Sequence, residues 1–201
     1  MAFLERAVEF AREHDILLCY DNPYCDVTFD GYVAPSILQV PGAKEVAVEF
    51  NSLSKTYNMA GWRVGMVVGN AKAIEALTTV KTNIDSGIFR PIQDAAVVAL
   101  TGDQGWLAER NRIYQRRRDV LLEWLPKAGM SAKAPCGGLY VWAKVPTGVD
   151  CEQYALEMLE KAGVWMTPGT AFGEHGRGYL RLSLCVSEER LREAGERILR
   201  V

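Results

Sequence analysis

Histidine is nearly missing from this sequence, and cysteine occurs without pairing. Only His14 and His175 are present in 201 residues. The five cysteines, Cys19, Cys25, Cys136, Cys151 and Cys185, are odd in number and show no Cys-x-x-Cys spacing. Transition-metal sites draw on closely spaced Cys and His, so none is expected. Scattered single cysteines point to reduced thiols in a cytoplasmic protein. Charge of one sign is lacking as well: 23 Lys and Arg against 25 Asp and Glu give a net charge of −2. That leaves no electrostatic footprint for nucleic acid. The one basic cluster, Arg110 to Arg118, is interleaved with Ile113 and Tyr114 and reads as the solvated face of a helix. No apolar run is long enough to span a bilayer and no signal-peptide pattern opens the chain, so no membrane partner is expected. Internal repeats and low-complexity segments are missing too.

What is present is a core-forming chain, 49% hydrophobic, whose elements alternate. Phe3, Leu4, Ala7, Val8, Phe10 and Ala11 recur at helical spacing, and that helix starts at once without an N-cap. Ile16 to Tyr20 has the continuous apolar character of a strand buried on both faces of a parallel sheet. Gly31 to Ala43 reads as loop, and Val46 to Phe50 and Val64 to Val68 as strands. Asn70 is placed to cap a helix, and Pro91 to start another. This is the α/β signature. After Gly102-Asp103-Gln104-Gly105 a long helix runs from about Trp106 to Leu125. Then the pattern changes to strands at Leu139–Val145, Val164–Thr167 and Tyr179–Cys185, with helices about 152–162 and 188–199. The expected division is 1–104 and 105–201, the second part a smaller α+β domain that opens with the long helix.

The stretch from Asn51 to Gly65 sets Lys55 on a turn between two strands, among Ser52, Ser54 and Thr56, with Arg63 following. It reads either as a surface loop with an ordinary solvated lysine or as imine chemistry on a phosphorylated carbonyl cofactor. A pyridoxal phosphate site needs an amine for the aldehyde, a carboxylate for the pyridinium nitrogen, a phenol for the ring hydroxyl, and hydroxyls with a fixed cation for the phosphate. Lys55, Asp21, Tyr24, Ser52, Ser54 and Arg63 meet those needs, all at strand ends or the turns after them, where open α/β sheets gather ligands. The plainer reading of Asp21-Asn22-Pro23-Tyr24 is an Asx-Pro turn whose aspartate caps backbone amides. Arg181, inside the apolar strand Tyr179 to Leu184, is either an outward-facing residue set by alternation or a two-point grip for a substrate carboxylate.

These residues resemble the class I/II aminotransferases, the type I fold of pyridoxal phosphate enzymes. The resemblance runs through Asp21-Asn22-Pro23-Tyr24, Ser52-Leu53-Ser54-Lys55 with Arg63 and Gly65, Pro135 to Trp142, Pro168 to Gly173, and Tyr179-Leu180-Arg181-Leu182. The run Ser54 to Arg63, with Asn83 to Phe89, is most similar to LL-diaminopimelate aminotransferases. The resemblance implies the C-terminal part of the cofactor-binding large domain followed by a small domain. It implies Lys55 as the Schiff-base lysine and proton shuttle, Asp21 on the ring nitrogen, and Tyr24 on the ring hydroxyl. Ser52, Ser54 and Arg63 would hold phosphate, and Arg181 the substrate α-carboxylate. The implied activity is amino-group transfer between an amino acid and a 2-oxo acid, LL-diaminopimelate with 2-oxoglutarate in the narrower match, in a homodimer.

The sequence departs from the family in lacking what ordinarily precedes the helix at Phe3, including a glycine-rich phosphate loop and the aromatic that stacks on the ring. The expectation is therefore the C-terminal half of an aminotransferase, with an incomplete pocket and open sheet edges. A β-lyase of the same fold, the aminotransferase-like ligand-binding domain of a transcription regulator, and a remnant that binds nothing are the alternatives.

Overall fold

Leu4, Val8 and Ala11 follow one another at helical spacing, and they are the buried residues of α1 (Ala2–Glu13), which no side chain caps at its start. Leu4 and Val8 pack with Ile37, Val40, Ala43 and Ala47 into one apolar cluster. The computed structural model describes all 201 residues, which fall into two units, Met1–Leu107 and Ala108–Val201.

In the first unit, β1 (Leu18–Asp21) is followed by a one-turn helix α2 (Ala43–Val46), β2 (Ala47–Ser52), a second one-turn helix α3 (Leu53–Thr56) and β3 (Gly65–Gly69). The sheet order is β1-β2-β3. β1 runs parallel to β2, with Asp21 opposite Phe50, and β3 runs antiparallel, with Gly65 opposite Ser52. β3 ends on Gly69 for a steric reason: at φ 138° a Cβ there would lie 2.4 Å from the Ala47 carbonyl oxygen. The sequence expectation for β1 needs correction. Ile16 and Leu17 are exposed, at 46% and 50%, and the strand starts two residues later than their apolar character suggests. Along β1 half-buried and exposed residues alternate, so within this chain it is not buried on both faces as its apolar run implies. The Gly31–Ala43 loop contains a 3-10 turn, Ile37–Gln39, closed by a capping box between Ser36 and Gln39.

Two helices complete this unit. In α4 (Ala71–Ile84) the Asn70 side chain accepts from the Ala73 amide, as its position before the apolar run predicts. Pro91 lies in the first turn of α5 (Arg90–Thr101), where its missing N–H costs nothing.

The unit boundary falls in the first turn of α6 (Trp106–Trp124). Beyond it come β4 (Ser131–Ala132), β5 (Tyr140–Lys144), α7 (Cys151–Ala162), β6 (Thr167–Pro168), β7 (Tyr179–Ser183) and α8 (Glu188–Ile198). The sheet is antiparallel in the order β4-β5-β7-β6. Period-two alternation puts Val141, Ala143, Leu180 and Leu182 in the core. β6 is shorter than the Val164–Thr167 expectation because the Val164 amide is taken by the end of α7, donating to the Met158 carbonyl.

The basic cluster on α6 is a second correction. Arg110 and Arg118 are buried, at 6% and 5% exposure, whereas Arg112 and Arg116 project into solvent. Arg118 donates to the Pro135 carbonyl and Arg117 to that of Leu184. Guanidiniums that satisfy loop carbonyls are structural cations, so the helix is not a simple solvated face. No helix of the chain is long and apolar enough to cross a membrane.

Candidate active site

The carboxyl ends of β1 and β2 and the entry to β3 bring the predicted cofactor residues to one edge of the first sheet. β2 ends at Ser52, whose backbone is still extended and whose Oγ accepts from the Ser54 amide at 3.1 Å. That cap starts α3, the structure that replaces the expected irregular turn. Leu53 and Thr56 are each 1% exposed and anchor the inner side of α3. Thr56 adds a hydrogen bond to Asp26 at 2.9 Å. With those two residues held inside, Ser54 and Lys55 occupy the half-buried outer side.

Lys55 Nζ lies 5.6 Å from the centroid of the Tyr24 ring, within range of a cation–π attraction. Tyr24 is held by the turn after β1, where its carbonyl accepts from the Val27 amide. Asp21, at the last position of β1, is exposed, and its carboxylate caps no amide. The Asx-turn reading is therefore not what forms: the Asn22 amide donates instead to Phe50, extending the parallel ladder by one bond. Arg63 is exposed and adopts a left-handed backbone at φ 55° and ψ 45° just before β3. Its Nη1 donates to the Ala60 carbonyl at 2.9 Å, which fixes the side chain while other N–H groups of the fork stay available.

Sequence reasoning missed the residues that hold this edge in place. Glu49 is 6% exposed in the middle of β2. One carboxylate oxygen accepts from Asn22 Nδ2 at 3.0 Å, and the other from the Ser36 hydroxyl and the Ile37 amide. Asn22 sits between Asp21 and Tyr24, so the buried carboxylate ties their turn to β2. A charged residue inside the apolar run Val46 to Phe50 was the available signal. Nearby, Asn51 Nδ2 donates to Cys25 Sγ at 3.0 Å. Burial is the main cause that pushes the Cys25 thiol above its ordinary pKa, and the Asn51 hydrogen bond partly opposes it. Burial likewise raises the Tyr20 phenol, with the Glu49 charge adding to it.

Arg181 belongs to the second unit. It shares the non-core face of β7 with Tyr179 and Ser183, as alternation requires, yet it is half-buried. Its guanidinium carbon lies 4.2 Å from the Tyr140 ring centroid and 4.4 Å from that of Phe172. Nε is buried and has no hydrogen-bond partner. The guanidinium thus meets two aromatic rings and no carboxylate partner, which leaves it hydrogen-bonding capacity for an anion.

Comparison with known proteins identifies the family. The family model for aminotransferase class I and II matches residues 2–198. LL-diaminopimelate aminotransferase of Moorella thermoacetica is 51% identical over 201 residues, which is 100% of this chain and 52% of that protein. The enzyme of the same name from Dehalococcoides mccartyi is 51% identical over 189 residues, 94% of this chain and 49% of its own length. The solved structure of a probable N-succinyldiaminopimelate aminotransferase from Thermus thermophilus superposes with a TM-score of 0.93 at 38% identity, over 99% of this chain and 53% of that one. Apo-BacF from Bacillus subtilis gives the same figures. The chain thus spans about half the length of the curated relatives it matches. The fold is the α/β type I fold of pyridoxal phosphate-dependent aminotransferases. With nearly its whole length matched, the chain belongs to the class I and II aminotransferase family.

Proposed function

We propose that this chain carries the reacting half of a pyridoxal phosphate site that transfers the amino group of LL-diaminopimelate to 2-oxoglutarate. The observation that carries the reading is the Lys55 amine poised over Tyr24 at the sheet edge where Asp21 also ends its strand. The donor set fits the cofactor: an amine, an exposed carboxylate with no amide to cap, a phenol, two serines and a fixed guanidinium. When bound, pyridoxal phosphate supplies an electrophilic carbonyl and a conjugated ring that spreads negative charge.

The residues then divide the work by their chemistry. Lys55 Nζ would take up and give back the proton of the substrate α-carbon, a transfer that needs the amine within hydrogen-bond reach. Asp21 would hold a proton on the ring nitrogen through its negative charge. Tyr24 would donate from its phenol to the ring hydroxyl oxygen, beside the lysine. The Ser52 oxygen already accepts from the Ser54 amide, so its hydroxyl proton is left for a phosphate oxygen, and Arg63 supplies the fixed cation. Arg181 receives the α-carboxylate. The names and the 51% identity of the diaminopimelate relatives support the substrate pair. Their double length supports further pocket residues outside these 201, and a homodimer is part of the same proposal.

Incubation with pyridoxal phosphate, borohydride reduction and peptide mapping should place the reduced cofactor mass on Lys55. Lys55→Ala should remove the label while leaving the fold intact. A label spread evenly over surface lysines such as Lys44 and Lys72, and unchanged in Lys55→Ala, overturns the assignment. Amino transfer from LL-diaminopimelate to 2-oxoglutarate, measured as glutamate formed, tests the substrate pair.

A further inference from the structure

The segment Pro168 to Gly173 belongs to the family resemblance, yet none of its residues is absorbed by the cofactor site. Its geometry is tightly held. Thr167 and Pro168 pair with Arg181 and Leu180. Gly169 then enters a 3-10 turn that ends at Phe172. A Cβ on Gly169 would lie 2.0 Å from the Gly176 carbonyl oxygen, so two glycine backbones meet where no side chain fits. The Thr170 hydroxyl donates to Glu152 Oε1 at 2.6 Å. A turn fixed at these points delivers a phenylalanine that is 51% exposed. Core packing does not require that ring. It is spent on Arg181.

Two rings meet one guanidinium. Tyr140 is the diagonal cross-strand neighbour of Arg181, two residues before Trp142, which stands directly opposite. Phe172 comes from the neighbouring turn, and Trp142 braces it edge-on at 5.8 Å and 69°. Tyr179 stacks on Trp142 in turn, at 5.5 Å and 15°. With rings at 4.2 Å and 4.4 Å from the guanidinium carbon and Nε buried, the two terminal nitrogens are the ones left to meet a ligand. A carboxylate matches that planar two-point edge.

We infer that Phe172 is a positioning residue for carboxylate recognition: it clamps Arg181 against Tyr140 so that the terminal nitrogens present one preset plane. This rests on the reading of Arg181 as the carboxylate-binding arginine. Holding the fork in advance removes rotamer freedom that binding would otherwise have to remove. The ring faces also stabilise the cation without competing for its N–H groups.

The full 201-residue chain, labelled with ¹⁵N-arginine, supplies the test. The Arg181 Nε–H resonance is assigned through Arg181→Lys, and ring currents from the covering aromatics should displace it. It is then followed during titration with 2-oxoglutarate, with the dimethyl ester as a control that lacks carboxylates. Phe172→Leu should move the resonance toward the ordinary arginine position and weaken the apparent Kd by about three- to fivefold, the scale of one partly exposed cation–π contact. Phe172→Tyr should restore both, which a general loss of packing would not do. Unchanged affinity in Phe172→Leu with a native thermal melt overturns the inference and leaves the Arg181 reading standing. No response of the wild-type resonance to 2-oxoglutarate, or an equal response to the ester, removes the Arg181 reading and the inference with it.

Discussion

Glu49 shows how one side chain can set a site it does not enter. A buried carboxylate is costly unless it is hydrogen-bonded, and Glu49 is bonded on both oxygens, by Asn22, Ser36 and the Ile37 amide. The Ile37 backbone N–H cannot turn into an acceptor, so in Glu49→Gln the new NH₂ has to face Asn22. Asn22 can accept it only by flipping its own amide, which takes its NH₂ away from Glu49 and from the Pro35 carbonyl. The expected loss is about 1–3 kcal/mol, the cost of a buried donor left without an acceptor. Urea denaturation of the two proteins measures it directly. Equal stability would mean the carboxylate is replaceable and does not hold the Asp21–Tyr24 turn. Little of this was legible in advance. Glu49 stands out in its apolar run, but its partners lie 27 and 13 residues away. No local pattern connects them.

The elements were legible where local chemistry decides them. Asn70 and Ser187 cap the helices they precede, and Pro91 opens α5, because a cap or a missing N–H acts within one turn. Lys55 lies between two strands, as the apolar runs on either side of it predict, although Ser52 capping turns the expected loop into a single helical turn. Boundaries failed where a tertiary neighbour decides, as with the exposed Ile16 and Leu17 before β1 and the buried Arg118 on α6. The same limit appears in α8, where Gly195 breaks the rule that glycine weakens helices. A Cβ there would sit 2.7 Å from the Trp124 ring, so the helix needs glycine to lie against the indole. By propensity alone Gly195→Ala would gain about 1 kcal/mol. Against a packed tryptophan we expect the opposite sign, a net loss of about 1–2 kcal/mol from overpacking. Thermal melts of Gly195→Ala and of the double variant Gly195→Ala, Trp124→Phe give the check. The smaller ring should recover part of the loss, and a stabilised single variant would show that the indole simply moves aside.

Across the whole molecule, apolar surface is distributed unevenly. None of the residues of α4 is buried, although Leu77, Val80 and Ile84 lie on it, and Ile84 is 77% exposed. α5 buries only Ala96 and leaves Val97 and Val98 at 58% and 69% exposure. Phe89, between the two helices, is 71% exposed. β1 and β3 each have one unpaired edge. Soluble chains rarely leave this much apolar side chain and backbone edge open to water, because both invite association. The sequence shows the residues but not their exposure, since the same Val and Ile pattern describes a helix packed in a core. We therefore expect the purified chain to associate in a concentration-dependent way, well above its 22.3 kDa monomer mass. Light scattering on a size-exclusion column measures this across a range of loading concentrations. Val80→Glu with Ile84→Lys, on a helix that buries neither residue, should shift the population toward monomer without lowering the melting temperature. A monomer at every concentration would show that α4 and the strand edges are tolerated in water as they stand. Association unchanged in the double variant would place the contact on α5 or the strand edges instead.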